Sequence, residues 1–257
     1  MTTEAQHRES VVEQFTHQAV PFSNSPAIAQ ADALRLLVTE SGATSDDTVL
    51  DVACGPGLVV GAFATVVRHA TGIDVTPAML ARAREITAGQ SNTTFDCGDV
   101  TQLPYADGAF SIVVSRLAFH HFRDPLRVLL EMRRVCRSGG RVVVSDLTAS
   151  DDSRKADAFH EMETVRDPSH ARALTASELA ALFDRAGLPQ PAVTFYDLPF
   201  ELENLLARSF SAPGGLERVR AAYVRSLDDD GFGLRTKRVG DDIHGAYRVV
   251  ILASTCA

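Results

Sequence analysis

Seven runs rich in β-branched residues, at 48–53, 70–75, 93–97, 110–115, 141–147, 192–198 and 247–253, alternate with helix signals along the chain. The central ones, such as Val49-Leu50-Asp51-Val52 and Val142-Val143-Val144, are almost continuously apolar. A strand reads this way when both of its faces are covered, which calls for a parallel sheet between two layers of helices. The helix signals agree. Thr76-Pro77 and Asp124-Pro125 each place an N-cap residue before a proline at the first helical position, and Thr175-Ala176-Ser177-Glu178 is a capping box. Gly139-Gly140 ends the helix opened at Pro125, and another helix follows Gly57 and runs to about His69. No repeat or low-complexity linker divides the chain, so the expectation is a doubly wound α/β sheet.

Two stretches fall outside this rhythm. Residues 4–45 read as two helices, and residues 200–245 hold helical pieces at 202–208 and 216–227 followed by a polar, glycine-containing loop. We expect 1–45 to form an N-terminal helical cap and 46–257 the ligand-binding domain, with 200–245 as an insertion on the substrate side. A net charge of −8 argues against a chain that grips nucleic acid. The longest uncharged run, 52–67, is interrupted by Gly55-Pro56-Gly57 and falls short of the ~20 residues of a membrane span. The first residues lack the apolar core of a signal peptide. Cys54, Cys97, Cys136 and Cys256 are scattered without a CxxC pair. Neither a disulfide framework nor a metal site is expected, and a reducing cytoplasm fits.

The strongest local signal is Val49-Leu50-Asp51-Val52-Ala53-Cys54-Gly55-Pro56-Gly57, a strand entering a glycine turn before a helix. Glycine lets backbone approach a ligand closely, and the helix N-terminus offers unpaired N–H groups. A dinucleotide fingerprint is not completed, because Val60 stands where the third glycine belongs, and this disfavours a nicotinamide-dependent dehydrogenase. Asp74 ends the second run 19 residues after Gly55, where a carboxylate can accept both hydroxyls of a ribose. Asp99 closes the third run. Each carboxylate alone reads as a polar loop residue; three successive strand ends together read as a nucleoside crevice.

With these residues in place, the chain resembles the class I S-adenosylmethionine-dependent methyltransferases, and within them the small-molecule subgroup related to the ubiquinone/menaquinone C-methyltransferases. Four segments carry the resemblance in family order and spacing: VLDVACGPG (49–57), GIDVTPAMLARAR (72–84), LPYADGAFSIVVSRLAFHHFRDP (103–125) and LLEMRRVCRSGGRVVVSDL (129–147). It covers roughly residues 45–190. Ala53 replaces the usual first glycine, and Ser138 the usual proline before Gly139-Gly140. The resemblance implies a mostly parallel, seven-stranded Rossmann-like sheet that binds S-adenosylmethionine and releases S-adenosylhomocysteine.

It also implies roles. Asp51, Ala53, Gly55 and Gly57 would line the methionine end of the cofactor, largely through backbone. Asp74 would hold the ribose, with Val75 and Met79 against the adenine, although Met79 reads equally as a core residue. Asp99 would meet the adenine amino group and Val100 its ring. Arg116 would contact the methionine moiety by main chain. His120 is the candidate general base, with His121 and His170 behind it. Each also has a plain reading: His120 packing under the cofactor, His170 in an exposed loop. Phe15, His17 and Phe22 in the N-terminal helices could close over the cofactor, or simply pack. Ser115-Arg116-Leu117-Ala118 lacks the Asn/Asp-Pro-Pro-Tyr/Phe of nucleobase amino methylation, and no cysteine follows a proline as in cytosine C5 methylation. The expected partner is therefore a small-molecule acceptor, with no nucleic acid and no membrane, bound by a monomer or homodimer. Two readings stay open beside methyl transfer. One is cyclisation or aminocarboxypropyl transfer on the same cofactor; the other is a catalytically silent binding subunit.

Overall fold

The computed structural model describes residues 3–25 and 28–256. Met1, Thr2, Pro26, Ala27 and Ala257, which the expected cap and domain spans include, lie outside the described residues. The strands are β1 (Thr48–Val52), β2 (His69–Asp74), β3 (Thr93–Cys97), β4 (Phe110–Arg116), β5 (Cys136–Leu147), β6 (Ala192–Glu201), β7 (Lys237–Val239) and β8 (Asp242–Thr255). They form one sheet in the order β3-β2-β1-β4-β5-β8-β6, with β7 paired to β8 off this path. The first five neighbours run parallel. Strand β8 is antiparallel to both β5 and β6.

The helices are α1 (Glu4–Ser23), α2 (Ala31–Ser41), α3 (Leu58–Ala64), α4 (Pro77–Ile86), α5 (Pro125–Val135), α6 (Ser153–Arg166), α7 (Ala176–Arg185), α8 (Leu202–Ala207) and α9 (Gly215–Arg225). All seven residues of β4 are buried, as the unbroken apolar run requires. Its successive side chains feed opposite layers. Ile112 and Val114 join Leu37 of α2, Val60 and Phe63 of α3 and Leu80 of α4. Val113 joins Leu129 and Met132 of α5 and Leu182 and Phe183 of α7. This two-residue period is what makes the sheet doubly wound. A third cluster gathers α6, α8, α9 and the ends of β6 and β8 around Phe159, Leu205, Tyr223 and Tyr247.

Two expectations need correction. The sheet has eight strands where seven were expected, because the loop assigned to 228–245 contains β7 and its turn into β8. Helix α3 stops at Ala64, well before His69, which already belongs to β2. Helix α6 lies in a stretch whose apolar residues do not repeat cleanly: it buries Phe159 and Met162 together with Glu163. Its start is nonetheless marked by Asp152, whose side chain accepts the Arg154 N–H. Of the two N-terminal helices, α2 packs on the sheet through Leu37, so only α1 is free to overlie the site. No helix among the described residues is long and apolar enough to cross a membrane.

The turn after β1 carries a backbone cost. Ala53 has φ +59° and Leu117, just past β4, has φ +54°, a region that favours glycine. A side chain in the left-handed region costs about 1–2 kcal/mol, while replacing alanine by glycine loosens the unfolded chain by about 0.4–1 kcal/mol. Ala53→Gly should therefore stabilise the ligand-free protein by about 0.5–1 kcal/mol, a rise in Tm of about 1–4 °C. A thermal scan showing an unchanged or lower Tm would contradict the strain assigned to this turn.

Candidate active site

The strand order reverses beside β1: β2 lies on one side and β4 on the other, so their connecting helices leave in opposite directions. The crevice outside the carboxyl ends at such a point is where open α/β sheets bind ligands. A cavity of about 160 Å³ occupies it, walled by the ends of β1 to β4 and roofed by Glu4, His7, Arg8, Val11, Phe15 and Phe22 of α1.

Asp74, at the end of β2, shapes the floor. Its two carboxylate oxygens accept the Gly55 N–H and the Thr76 N–H, each at 2.8 Å. That holds the glycine turn against the next strand and leaves further lone pairs for a ligand. Gly55 itself sits at φ +50°. Asp51, in β1, is 1% exposed, and neither of its carboxylate oxygens has a hydrogen-bond partner among the described residues. Burial, then the charge of Asp74, pushes its pKa well up, against the pull of Arg116. Arg116, at the end of β4, donates from Nη1 to the Ile28 carbonyl at 3.1 Å and from Nε to the Tyr196 hydroxyl at 3.4 Å, while Nη2 is buried without a partner among the described residues. A buried polar group without a partner is costly. The residues lining one cavity thus include a carboxyl group and a guanidinium nitrogen that are buried without partners among the described residues, the complement of a ligand carrying both an ammonium and a carboxylate.

Asp51, Ala53, Gly55, Asp74, Val75, Met79, Asp99, Val100 and Arg116 all line this cavity. Gly57 does not. It caps α3 at φ +78°, and a Cβ there would lie 2.8 Å from the Cβ of Ala83, so the absence of a side chain lets α3 pack on α4. Asp99 accepts from Thr101 through its N–H at 2.8 Å and its hydroxyl at 2.7 Å, and from Arg8 of α1 at 3.1 Å. Burial opposes its ionisation, but these hydrogen bonds and the Arg8 and Arg127 charges lower its pKa on balance. The roof is latched a second time where His7 Nε2 meets the His121 carbonyl at 2.8 Å.

A second, inner cavity of about 70 Å³ adjoins the first and shares Phe15, Phe22, Ile28, Leu117 and His121 with it. His120 and His121 both line it, on a 3-10 turn after β4. His120 donates its backbone N–H to Asp146 Oδ2 at 2.8 Å, and its ring Nδ1 lies 2.7 Å from Asp146 Oδ1. Asp146 ends β5 and is 1% exposed. Burial disfavours the imidazolium, but Asp146, aided by Glu163 and Asp167, outweighs it and raises the His120 pKa. His121 Nδ1 meets the Ser169 carbonyl at 3.1 Å, and its ring stands edge-on to Phe15 at 4.9 Å. Burial and the neighbouring His120 push its pKa down to about 4.

His170 lines neither cavity and is not in an exposed loop. It is 5% exposed, both ring nitrogens lack partners among the described residues, and its ring lies 5.8 Å from that of His120. Burial, followed by the charges of His120 and His121, drives its pKa far down, so it stays neutral. The chain beside it buttresses the 3-10 turn, with Ala171 and Arg172 N–H groups donating to the His120 carbonyl at 2.9 and 3.0 Å. Phe15 and Phe22 close over the site, whereas His17 lies over Phe210 at 5.4 Å. Sequence reasoning missed His7, Arg8, Asp146, Arg166 and Arg208. For Asp146 a signal existed, since Ser145-Asp146 ends an apolar run as Asp74 and Asp99 do. The others sit in polar helical stretches without a pattern.

Comparison with known proteins agrees with this geometry. The family model described as "Methyltransferase domain" matches residues 50–144. The uncharacterized methyltransferase YcgJ of Bacillus subtilis is 26% identical over 93% of this chain and 96% of its own. The UbiE ubiquinone/menaquinone biosynthesis C-methyltransferase of Bdellovibrio bacteriovorus is 39% identical over 42% of this chain and 47% of its own. A putative methyltransferase from Bacillus halodurans has the same fold, with a TM-score of 0.80 at 24% identity over 88% of this chain and 99% of that one. The matched family segment contains the glycine turn, Asp74, Asp99, Arg116 and the histidine pair, and the chain belongs to the class I S-adenosylmethionine-dependent methyltransferases.

Proposed function

We propose that the enzyme methylates a small-molecule acceptor seated in the inner cavity, with His120 taking the acceptor's proton. The observation that carries this reading is the His120–Asp146 pair beside the larger cavity. With Nδ1 hydrogen-bonded to the carboxylate, the lone pair available for a proton is on Nε2, which has no partner among the described residues. When bound, S-adenosylmethionine supplies an electrophilic methyl group on a sulfonium. For that ligand, Asp51 and Arg116, the latter through its side chain where the resemblance implies its main chain, would receive the amino-acid end, with Ala53 and Gly55 along it. Asp74 would accept from the ribose, and Val75, Met79 and Val100 would pack on the adenine. Asp99 has less to offer the adenine amino group than its position alone implies, because Arg8 and Thr101 already occupy it. Gly57 and His170 act at one remove, by packing and by support of the turn. A cytoplasmic setting is supported by four free thiols.

Alignment is the larger contribution. Holding nucleophile and methyl group in line is worth about 7–11 kcal/mol, and a general base adds typically about 10²–10⁴-fold. The chain supplies alignment by walling both cavities with Phe15, Phe22, Ile28 and Leu117, which also exclude water. Proton removal is needed only when the acceptor atom carries one.

Small metabolites incubated with S-adenosylmethionine should release S-adenosylhomocysteine by mass spectrometry; methylthioadenosine as the product would contradict methyl transfer. Asp74→Ala should weaken S-adenosylhomocysteine binding by at least about 10-fold, since it removes charged acceptors and frees the turn. Parental affinity in that variant would remove Asp74 from the site.

The pH dependence follows from the His120 shift. The group is raised, so the imidazolium persists above the ordinary value of about 6.5, and turnover should climb as pH rises through the raised pKa. Asp146→Asn removes the carboxylate that lifts it, so the inflection should move to lower pH while maximal turnover falls. His120→Gln should cost about 10²–10⁴-fold in kcat with S-adenosylhomocysteine affinity unchanged. A flat profile for the parent across pH 6–9 would assign His120 to packing.

A further inference from the structure

The inner cavity is surrounded by charge that is nearly all spoken for. Asp146 accepts from the His120 N–H and from the Leu147 N–H, besides its bond to the His120 ring. Glu163 takes two N–H groups of Arg166, at 3.0 and 2.5 Å, and the Tyr247 hydroxyl at 3.1 Å. Asp167 takes the Ser169 N–H and hydroxyl at 2.9 and 2.5 Å, and the Gln18 amide at 3.5 Å. Each carboxylate is satisfied, and Arg166 has its counter-ion.

Arg208 does not. It caps the end of α8 and lines the inner cavity. Its side chain makes one hydrogen bond, from Nη1 to Ser25 Oγ, and pairs with no carboxylate among the described residues. A guanidinium has five N–H donors and stays charged. Burial works against that charge here, and so does nearby Arg166; Tyr247 and Glu163 favour it without offsetting both. The same residue also lines a groove of about 940 Å³ along β6, α8 and β8, so it stands at the boundary between the groove and the inner cavity. In the groove the acids are again committed: Asp197 pairs with Arg235 at 2.8 Å and Arg248 at 3.1 Å, and Glu201 accepts from Asn204. Lys237 adds further positive charge to the groove wall.

We propose that the acceptor is a small organic carboxylate that enters by this groove, its carboxylate docked on Arg208 and the atom to be methylated at the His120 end of the inner cavity. The proposal rests on the reading of that cavity as the acceptor site. A single unpaired guanidinium with parallel N–H donors fits one two-pronged carboxylate. A phosphate dianion calls for a second free cation, and Arg166 is already taken by Glu163. The cavity's about 70 Å³ has room for on the order of five waters at ~10–15 Å³ of probe-occupied volume each, the bulk of one small ring. Phe22, Leu117, Leu147, Leu198 and Leu205 give that ring an apolar wall. Arg208 is thus a specificity-determining residue that selects against neutral analogues, because a neutral ligand would cover the guanidinium without pairing it.

The test uses benzoate and its neutral analogue benzamide, titrated calorimetrically into protein saturated with S-adenosylhomocysteine. Benzoate should bind the parent at least about 10-fold more tightly than benzamide, and Arg208→Gln should erase that preference while S-adenosylhomocysteine affinity and Tm stay parental. Arg208→Lys should retain part of it, since the charge remains but the two-pronged geometry is lost. Benzoate binding no tighter than benzamide, or bound equally by Arg208→Gln, overturns the proposal. Failure of the underlying reading has a different signature. S-adenosylhomocysteine would then give no binding heat, or benzoate would bind through Arg208 without inhibiting methyl transfer, and either result removes the proposal with it.

Discussion

Everything in the site depends on the reversal of strand order between β1 and β4. Because β2 and β4 flank β1 and their helices depart to opposite faces, the carboxyl ends of four parallel strands open onto one crevice that no crossover covers. Buried strands deliver side chains there with little freedom. Asp51, Asp74 and Arg116 are each held by a strand packed on both faces, so their charged groups are placed by the core and not by flexible loops. The tight exit from β1 completes the floor, at the cost of left-handed backbone at Ala53. Strain of this kind persists where surrounding structure over-determines the turn, and here the Asp74–Gly55 hydrogen bond is part of that determination.

The two cavities differ in how fully their polar groups are partnered. The outer one is lined by two groups with unpartnered polar atoms, the Asp51 carboxyl and Arg116 Nη2, which a ligand carrying both an ammonium and a carboxylate would complete. The inner one is nearly saturated, with Asp146, Glu163 and Asp167 each engaged, and this order fixes the His120 ring. Helix α1 joins them. It latches to Asp99 through Arg8 and to the 3-10 turn through His7, and it places Phe15 against His121. The helix is thus tied to the walls of both cavities.

Much of this was legible in the sequence. The apolar runs mark strands covered on both faces, and the 19-residue interval from Gly55 to Asp74 reflects one strand–helix–strand unit, so both survive reading without coordinates. Proline after an N-cap residue located α4 and α5 because both signals are local. What stayed hidden is non-local. Gly57 looks like a ligand glycine, but its constraint is the Cβ of Ala83 on another helix. His170 looks like a loop histidine, and only the packing of α6 and the 3-10 turn buries it. Arg208 carries no pattern, since its significance lies in the carboxylate it lacks, and β7 is too short to show a period.

The central claim is that the unpartnered Asp51 carboxyl and Nη2 of Arg116 receive the amino-acid end of the cofactor. Calorimetric comparison of S-adenosylhomocysteine with 5′-methylthioadenosine, which lacks that end, isolates it. Two charged hydrogen-bonding partners should favour S-adenosylhomocysteine by about 100-fold or more, and Asp51→Asn or Arg116→Gln should each reduce the ratio. Equal affinity of the parent for the two ligands would contradict the account.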